Sequence, residues 1–215
     1  IDKLEEESEY IIIQGIGGIG KSMFLTHLFL SSSKQTKETG RIPLLLSLKD
    51  YKDSTSGMID FIWKSVKEYD PNIVRASIIN ALQQKYIILL LDGLDEIQSS
   101  VRESFNQDLD AFIKSYPGNT VVMTSRPVYS FISYAKFSLF DILELTKSQA
   151  IALVNKLEFW DTDGKESFLQ ALDSKLYFTH REFASNPLLL TIMLMTYSSF
   201  GEVPAKMHVF YSKAY

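Results

Sequence analysis

The sequence contains no cysteine. Disulfide bonds and thiolate metal sites are therefore excluded, and the composition fits a reducing compartment such as the cytoplasm. Histidine is scarce, and neither His27 nor His180 has a second histidine at ligand spacing, so we interpret both as structural. The net charge of −4 argues against general nucleic-acid binding.

Long apolar runs are also missing. No segment reaches the roughly 18 apolar residues of a membrane span, and the longest candidate, Leu188 to Met195, is short and interrupted by Thr191. The acidic N-terminus lacks the basic and apolar regions of a signal peptide. Because no initiator methionine is present, we expect the chain to be a fragment of a longer protein. Its 215 residues, 46% of them hydrophobic, suffice for one domain and a smaller second one.

One glycine-rich stretch has the spacing of a P-loop, G-x-x-x-x-G-K-[ST], between an apolar run at 10–13 and a segment of helical periodicity. Glycines let the backbone turn sharply and point successive N–H groups at phosphate oxygens. Lys21 adds a positive charge for the β- and γ-phosphates, and the Ser22 hydroxyl is placed to ligate Mg²⁺. The predicted nucleotide-binding residues of this stretch are Gly15, Ile16, Gly17, Gly18, Ile19, Gly20, Lys21, Ser22 and Met23.

Strand and helix patterns alternate along the first two thirds of the sequence. The apolar run at 10–13 predicts the first strand, and the polar segment at 31–40 predicts a loop after the first helix. The other predicted strands are 41–48, 86–91, 120–124 and 137–145. The predicted helices are 58–69, 71–84 (capped by Asp70, with Pro71 in its first turn) and one with an apolar face from Val101 to Tyr116. The run at 86–91 is apolar throughout, as in a parallel sheet covered on both faces.

From Thr146 onward only helical patterns follow. Thr146 and Gln149 form a capping-box sequence, Asn186-Pro187 opens a later helix, and a last helix is expected at 206–215. We therefore predict an α/β nucleotide-binding domain over 1–145 and a small, incomplete helical subdomain over 146–215.

Three carboxylates follow the apolar run at 86–91. Asp92 ends a buried strand at the sheet edge where α/β folds bind ligands, and we predict that it holds Mg²⁺ opposite Ser22. Asp95 and Glu96 are close enough to orient a water for attack on the γ-phosphate, and which of them is the base stays open. Crowded carboxylates repel unless a cation is present, so the cluster itself favours a metal.

Arg126 follows the strand at 120–124 and is expected at the same edge of the sheet. We predict that its guanidinium reaches the γ-phosphate and so distinguishes ATP from ADP. The alternative is a surface arginine in the turn before Pro127.

In combination, these motifs resemble a NACHT domain of the STAND class of regulatory ATPases. The stretches that carry the resemblance are Gly15 to Ser22, Leu90-Leu91-Asp92-Gly93-Leu94-Asp95-Glu96, Thr124-Ser125-Arg126-Pro127 and Asn186-Pro187-Leu188-Leu189-Leu190. The resemblance implies a doubly wound P-loop NTPase core with a five-stranded parallel sheet, in which the Arg126 strand lies between those that precede Gly15 and Asp92. It also implies that Pro187 contacts the adenine base, with the helical subdomain closing over the nucleotide.

Members of this family are ADP-bound sensors that exchange to ATP, self-associate and recruit an effector, commonly in innate immunity and including bacterial antiviral defence. The resemblance therefore implies a cytoplasmic, weak ATPase that binds ATP or ADP with Mg²⁺ and serves signal transduction. It implies a winged-helix part after Tyr215, and effector and sensor domains elsewhere in the full-length protein.

Other P-loop classes fit less well. A GTPase would need Asn-Lys-x-Asp, and the nearest match, Asn155-Lys156-Leu157-Glu158, ends in the wrong residue. The Leu-Ser-Gly-Gly-Gln signature of transporter ATPases is missing. A small-molecule kinase remains an alternative, although Arg181 is the only arginine of the helical segment and a phosphoryl-transfer lid is usually arginine-rich. A nucleotide-binding scaffold that does not hydrolyse ATP is the other alternative.

Overall fold

A computed structural model describes residues 6–52, 57–127 and 134–200. These residues form two compact units, the first from 6–16, 21–52, 57–127 and 134–142 and the second from 17–20 and 143–200. No helix within these three ranges is long and apolar enough to cross a membrane.

The first unit is built on a parallel sheet of five strands in the order β2-β3-β4-β1-β5. The strands are β1 Tyr10–Gln14, β2 Ile42–Ser47, β3 Ile87–Asp92, β4 Thr120–Ser125 and β5 Ser138–Asp141. β4, which leads into Arg126, lies between β1 and β3, as the family resemblance implied. β5 is shorter than the predicted strand at 137–145.

Helices cover the sheet, as the apolar sequence of β3 predicted. They are α1 Lys21–Thr39, α2 Gly57–Lys67, α3 Arg75–Gln83 and α4 Ser99–Ser115, with 3₁₀ turns at Leu48–Asp50 and Leu94–Glu96. Successive strand residues point to opposite faces. Ile88 and Leu90 of β3 therefore join the core cluster that includes α1, whereas Leu89 and Leu91 join the cluster that includes α2, α3 and α4.

The predicted loop at 31–40 is wrong, because α1 continues to Thr39. The polar residues of this segment suggested a loop, but their side chains bond within the helix: the hydroxyls of Thr36 and Thr39 donate to carbonyls one turn earlier. The helix ends where Gly40 adopts a φ of +70°, a conformation that favours glycine.

The predicted start of the helix at 71–84 is also wrong, because α3 begins at Arg75. The Asp70 carboxylate accepts from the Asn72 amide at 3.1 Å and so caps a turn instead of a helix. The carbonyl of Ile73 accepts from the Trp63 indole at 3.1 Å, which fixes this turn on α2.

The second unit is helical. Its helices are α5 Lys147–Lys156, α6 Thr162–Ala171, α7 Tyr177–Thr179, α8 Arg181–Ala184 and α9 Pro187–Phe200, with a π-helical turn at Leu172–Leu176. The predicted capping box is confirmed, since the Thr146 hydroxyl and the Gln149 side chain each accept from the other residue's amide. A core around Phe168, Leu190 and Leu194 holds these helices together. The predicted helix at 206–215 lies outside the described residues.

Candidate functional site

The glycine-rich stretch connects β1 to α1. The amide of Gly15 donates to the carbonyl of Ser125 at 3.2 Å, which fixes the start of the loop on β4. The Lys21 ammonium turns back on the loop and donates to the carbonyls of Gly15 (2.7 Å) and Ile16 (3.1 Å). The charge of Lys21 is therefore held inside the curve of the loop.

The surroundings of Lys21 show which predicted residues come together. Burial lowers the pKa of Lys21, and the positive charge of Arg126 acts in the same direction. The carboxylates of Asp95, Asp92 and Glu96 act in the opposite direction. The structure thus brings all four predicted charged residues at or after the ends of β3 and β4 within electrostatic reach of one ammonium.

The start of α1 fits a phosphate group. The helix has 19 residues and no acidic side chain in its first turn, so its positive N-terminal dipole has no built-in counter-charge. Methyl groups added at Gly17 and Gly20 would meet no atom within 4 Å, which leaves open space along the loop. Free space, backbone donors and an ammonium are what a polyphosphate needs. The side chains of Ile16 and Met23 are exposed.

Ser22 and Asp92 line the same cavity of about 700 Å³. Asp92 is half-buried, and its carboxylate accepts from the Thr124 hydroxyl, which in turn accepts from the Gly93 amide at 2.9 Å. One hydroxyl and one oriented carboxylate are oxygen ligands of the kind that Mg²⁺ prefers. The residues present therefore fit a Mg²⁺ ion shared with phosphates.

The crowding of the three carboxylates predicted a metal at this cluster, and this prediction is wrong. Within the described ranges, no group of three histidine or acidic side chains is arranged to hold a metal. The three carboxylates have different surroundings instead: Asp92 bonds Thr124, Asp95 bonds Arg126, and Glu96 is exposed. The case for Mg²⁺ therefore depends on Ser22 and Asp92 alone.

Asp95 holds Arg126 by two contacts. One carboxylate oxygen accepts from the Arg126 backbone amide at 2.9 Å, and the other lies 3.2 Å from Nε. The Asp95 side chain is 18% exposed, whereas that of Arg126 is 67% exposed. Arg126 therefore lies at the sheet edge, paired with a carboxylate and accessible to a ligand.

Glu96 differs from Asp95 in having no ion-pair or hydrogen-bond partner for its carboxylate among the described residues. Its side chain packs against the backbone of Gly93, where an added methyl group would lie 3.1 Å from Cδ. Gly93 has a φ of +86°, a backbone conformation that favours glycine in the turn that carries these acidic residues.

Residues 17–20 pack with the second unit. The Asn186 side chain donates to the carbonyl of Gly17 at 2.9 Å, and Pro187 follows as the first residue of α9. The side chain of Ile19 is buried, so this residue can offer a ligand only its backbone. Sequence reasoning identified Asn186 as a helix cap but not its bond to the loop, and it did not find the contact between Thr124 and Asp92.

A sequence model of one family, described as NACHT domain, matches residues 9–158. No curated protein matched the chain.

Similar solved structures share little sequence with this chain. C. elegans PCH-2 is 14% identical with a TM-score of 0.46, and the match covers 96% of this chain and 61% of that one. A DNA replication initiation factor is 14% identical with a TM-score of 0.46, covering 99% and 73%. The replication initiator DnaA bound to AMPPCP and single-stranded DNA is 14% identical with a TM-score of 0.44, covering 96% and 77%. The chain thus spans 61% of the length of PCH-2.

The contact between Thr124 and Asp92 gives a first prediction. Thr124→Val keeps the shape of the side chain and removes the hydroxyl, so the Asp92 carboxylate loses its fixed orientation. We expect calorimetric titration to show about tenfold weaker ATP binding with Mg²⁺, and little change in EDTA. Thr36→Val, which removes a hydroxyl bonded only within α1, is the matched control. A similar loss with and without Mg²⁺ would contradict this role of Thr124.

Proposed function

The chain belongs to the NACHT family, and we propose that it binds ATP and ADP together with Mg²⁺, hydrolyses ATP slowly and works as a nucleotide-controlled switch. The observation that carries this proposal is the position of the Lys21 ammonium. It lies inside a glycine-rich loop at the N-terminus of a long helix, within electrostatic reach of three carboxylates and one arginine.

Each part of this site has a distinct task in nucleotide binding. Loop amides and Lys21 bind the phosphates, with Lys21 exchanging its bonds to loop carbonyls for bonds to phosphate oxygens. Ser22 and Asp92 would hold Mg²⁺, which neutralises phosphate charge when it is bound. Pro187, the first residue of α9, would contact the adenine base, as the family implies.

Glu96 is the better candidate for the residue that orients the attacking water. Its carboxylate is exposed and unpaired among the described residues, so it can accept a hydrogen bond from water. Both carboxylate oxygens of Asp95 are already engaged with Arg126. Asp95 is therefore better suited to hold Arg126 than to act as a base.

We expect Arg126 to distinguish ATP from ADP. When ADP is bound, the Arg126 guanidinium keeps its contact with the Asp95 carboxylate. ATP offers a γ-phosphate that competes with Asp95 for the guanidinium and takes a forked, charge-assisted contact. Only an interaction that differs between the two ligands can shift a conformational equilibrium. The pair of Asp95 and Arg126 therefore sets how strongly ATP drives the switch.

The remaining parts of the proposal come from the family. We expect the full-length, activated protein to self-associate in the cytoplasm and to pass a signal to effector and sensor domains outside this chain. Innate immunity, including antiviral defence, is the expected setting.

The cavity beside Ser22 and Asp92 supports a second candidate, transfer of the γ-phosphoryl group to a small molecule. Tyr51 and Phe61 also line this cavity, whose volume of about 700 Å³ gives an acceptor space. A hydrolase releases inorganic phosphate from ATP in buffer alone, whereas a kinase needs its acceptor. A scaffold that binds nucleotide without hydrolysis would release none in either case.

The central test is to denature the purified protein and identify any released nucleotide by chromatography. We expect ADP or ATP. Lys21→Ala should weaken ADP binding with Mg²⁺ by about ten- to a hundredfold, because a charge-assisted contact contributes roughly 1.5–3 kcal/mol. Lys34→Ala, on the exposed side of α1, should bind as the wild type does. Release of a guanine nucleotide, or equal binding by Lys21→Ala, would overturn the proposal.

Binding and hydrolysis should separate at the acidic turn. Glu96→Gln keeps the size of the side chain and removes the base, so ATP should still bind while turnover falls about 100-fold or more. Asp95→Asn should change turnover far less. Measuring phosphate release under single-turnover conditions compares the two variants. The reverse order of effects would assign the base to Asp95.

Arg126→Ala should leave ADP affinity almost unchanged and weaken ATP binding by roughly 1.5–3 kcal/mol. Arg126→Lys should recover only part of the loss, because an ammonium keeps the charge without the fork. Arg75→Ala is the control, since Arg75 pairs with Asp60 on α2. The dissociation constants for ADP and for ATP are measured for the wild type and each variant. Equal losses of affinity for ADP and ATP would show that Arg126 does not distinguish them.

A further inference from the structure

The side chain of Asn186 forms hydrogen bonds with both the glycine-rich loop and the N-terminal turn of α9. It is 1% exposed. Its Nδ2 donates to the carbonyl of Gly17 at 2.9 Å, while its Oδ1 accepts from the amides of Leu188 (3.1 Å) and Leu189 (3.2 Å). A single buried amide group thus binds the loop with its nitrogen and caps α9 with its oxygen.

The backbone around Gly18 fits closely against the same helix end. The amide of Leu188 lies 3.3 Å from the carbonyl of Gly18 and donates to it as well. A methyl group added at Gly18 would lie 2.9 Å from both Asn186 Oδ1 and Leu188 Cβ, and Gly18 has a φ of +76°. Loop and helix end therefore meet without space for a larger residue at position 18.

We propose that Asn186 is a positioning residue for phosphate binding, which rests on the proposed function of the loop. A trans peptide group is planar, with its C=O and N–H pointing in opposite directions. Fixing the carbonyl of Gly17 on Asn186 therefore turns the amide of Gly18 away from Asn186, where it can donate to an anion. Asn186 sets the direction of a phosphate-binding donor without touching the ligand.

Helix capping alone does not explain asparagine at this position. Serine and aspartate cap helices about as well as asparagine, because each has an oxygen that accepts from the first-turn amides. Only an amide side chain also carries a donor that reaches the carbonyl of Gly17. The capping role and the positioning role therefore predict different orders of affinity for the same set of variants.

The test compares Asn186→Ser and Asn186→Asp with the wild type by titration with ADP and Mg²⁺. Both variants keep the cap and lose the donor, and aspartate also sets an oxygen against the carbonyl of Gly17. We expect about tenfold weaker binding for serine and a larger loss for aspartate. Thr146→Ala, which removes the cap of α5 in the same unit, should leave ADP affinity unchanged. Equal affinity of the wild type and both Asn186 variants would overturn the proposal.

A second measurement separates this proposal from the proposed function. Amide hydrogen exchange of nucleotide-free protein should be faster over residues 17–21 in Asn186→Ser than in the wild type, and unchanged in Thr146→Ala. If the wild type binds no adenine nucleotide, the proposed function fails, and the exchange data alone decide whether Asn186 holds the loop. Unchanged exchange in Asn186→Ser would overturn the positioning role even if a variant lost stability.

Discussion

A lysine at the first position of a helix is the constraint around which this site is built. The N-terminus of α1 carries the positive end of the helix dipole, so the ammonium of Lys21 is unfavourably placed there, and burial adds to the cost. Two loop carbonyls and the surrounding carboxylates offset part of this cost. The first turn of α1 contributes no acidic residue of its own. The ammonium of Lys21 and the loop amides can each donate to a phosphate oxygen, and a charge-assisted contact of that kind is stronger than one to a neutral acceptor.

The register of the strands determines which residue lies beside Asp92. Asp92 pairs with Ser47 across β2 and β3, and Met123 of β4 pairs with Leu91, so Thr124 comes beside Asp92. This register gives Asp92 a hydroxyl donor, while the following 3₁₀ turn carries Asp95 to Arg126. Asp92 and Asp95, which are close in sequence, therefore have different partners. Asp92 at the end of β3 bonds Thr124, Asp95 in the turn pairs with Arg126, and the Glu96 carboxylate has no partner among the described residues.

Much of this arrangement could be predicted from sequence because it depends on local patterns. Uninterrupted apolar residues in β3 predicted burial on both faces, and the P-loop spacing predicted the loop before α1. The predicted loop at 31–40 was wrong for a local reason, because polar side chains there bond within α1. The predicted start of α3 was wrong because a tertiary contact decided between two local alternatives. Asp70 can cap either a helix or a turn. The hydrogen bond from the Trp63 indole to the carbonyl of Ile73 stabilises the turn. The bonds from Thr124 to Asp92 and from Asn186 to Gly17 join residues far apart in the chain, where spacing gives no signal.

The glycine-rich loop is continuous in sequence with the first unit, yet residues 17–20 pack with the second. This has a thermodynamic consequence if Asn186 positions the Gly18 amide. A nucleotide that binds this amide then stabilises one placement of the α9 N-terminus relative to the loop. Linkage requires the reverse effect to be equal in size. Suppose that a partner or further domain favours the same placement of α9. Its binding must raise the affinity for nucleotide by the same factor by which nucleotide raises the affinity for the partner. On this proposal, the buried amide of Asn186 would link nucleotide binding to the placement of the α9 N-terminus.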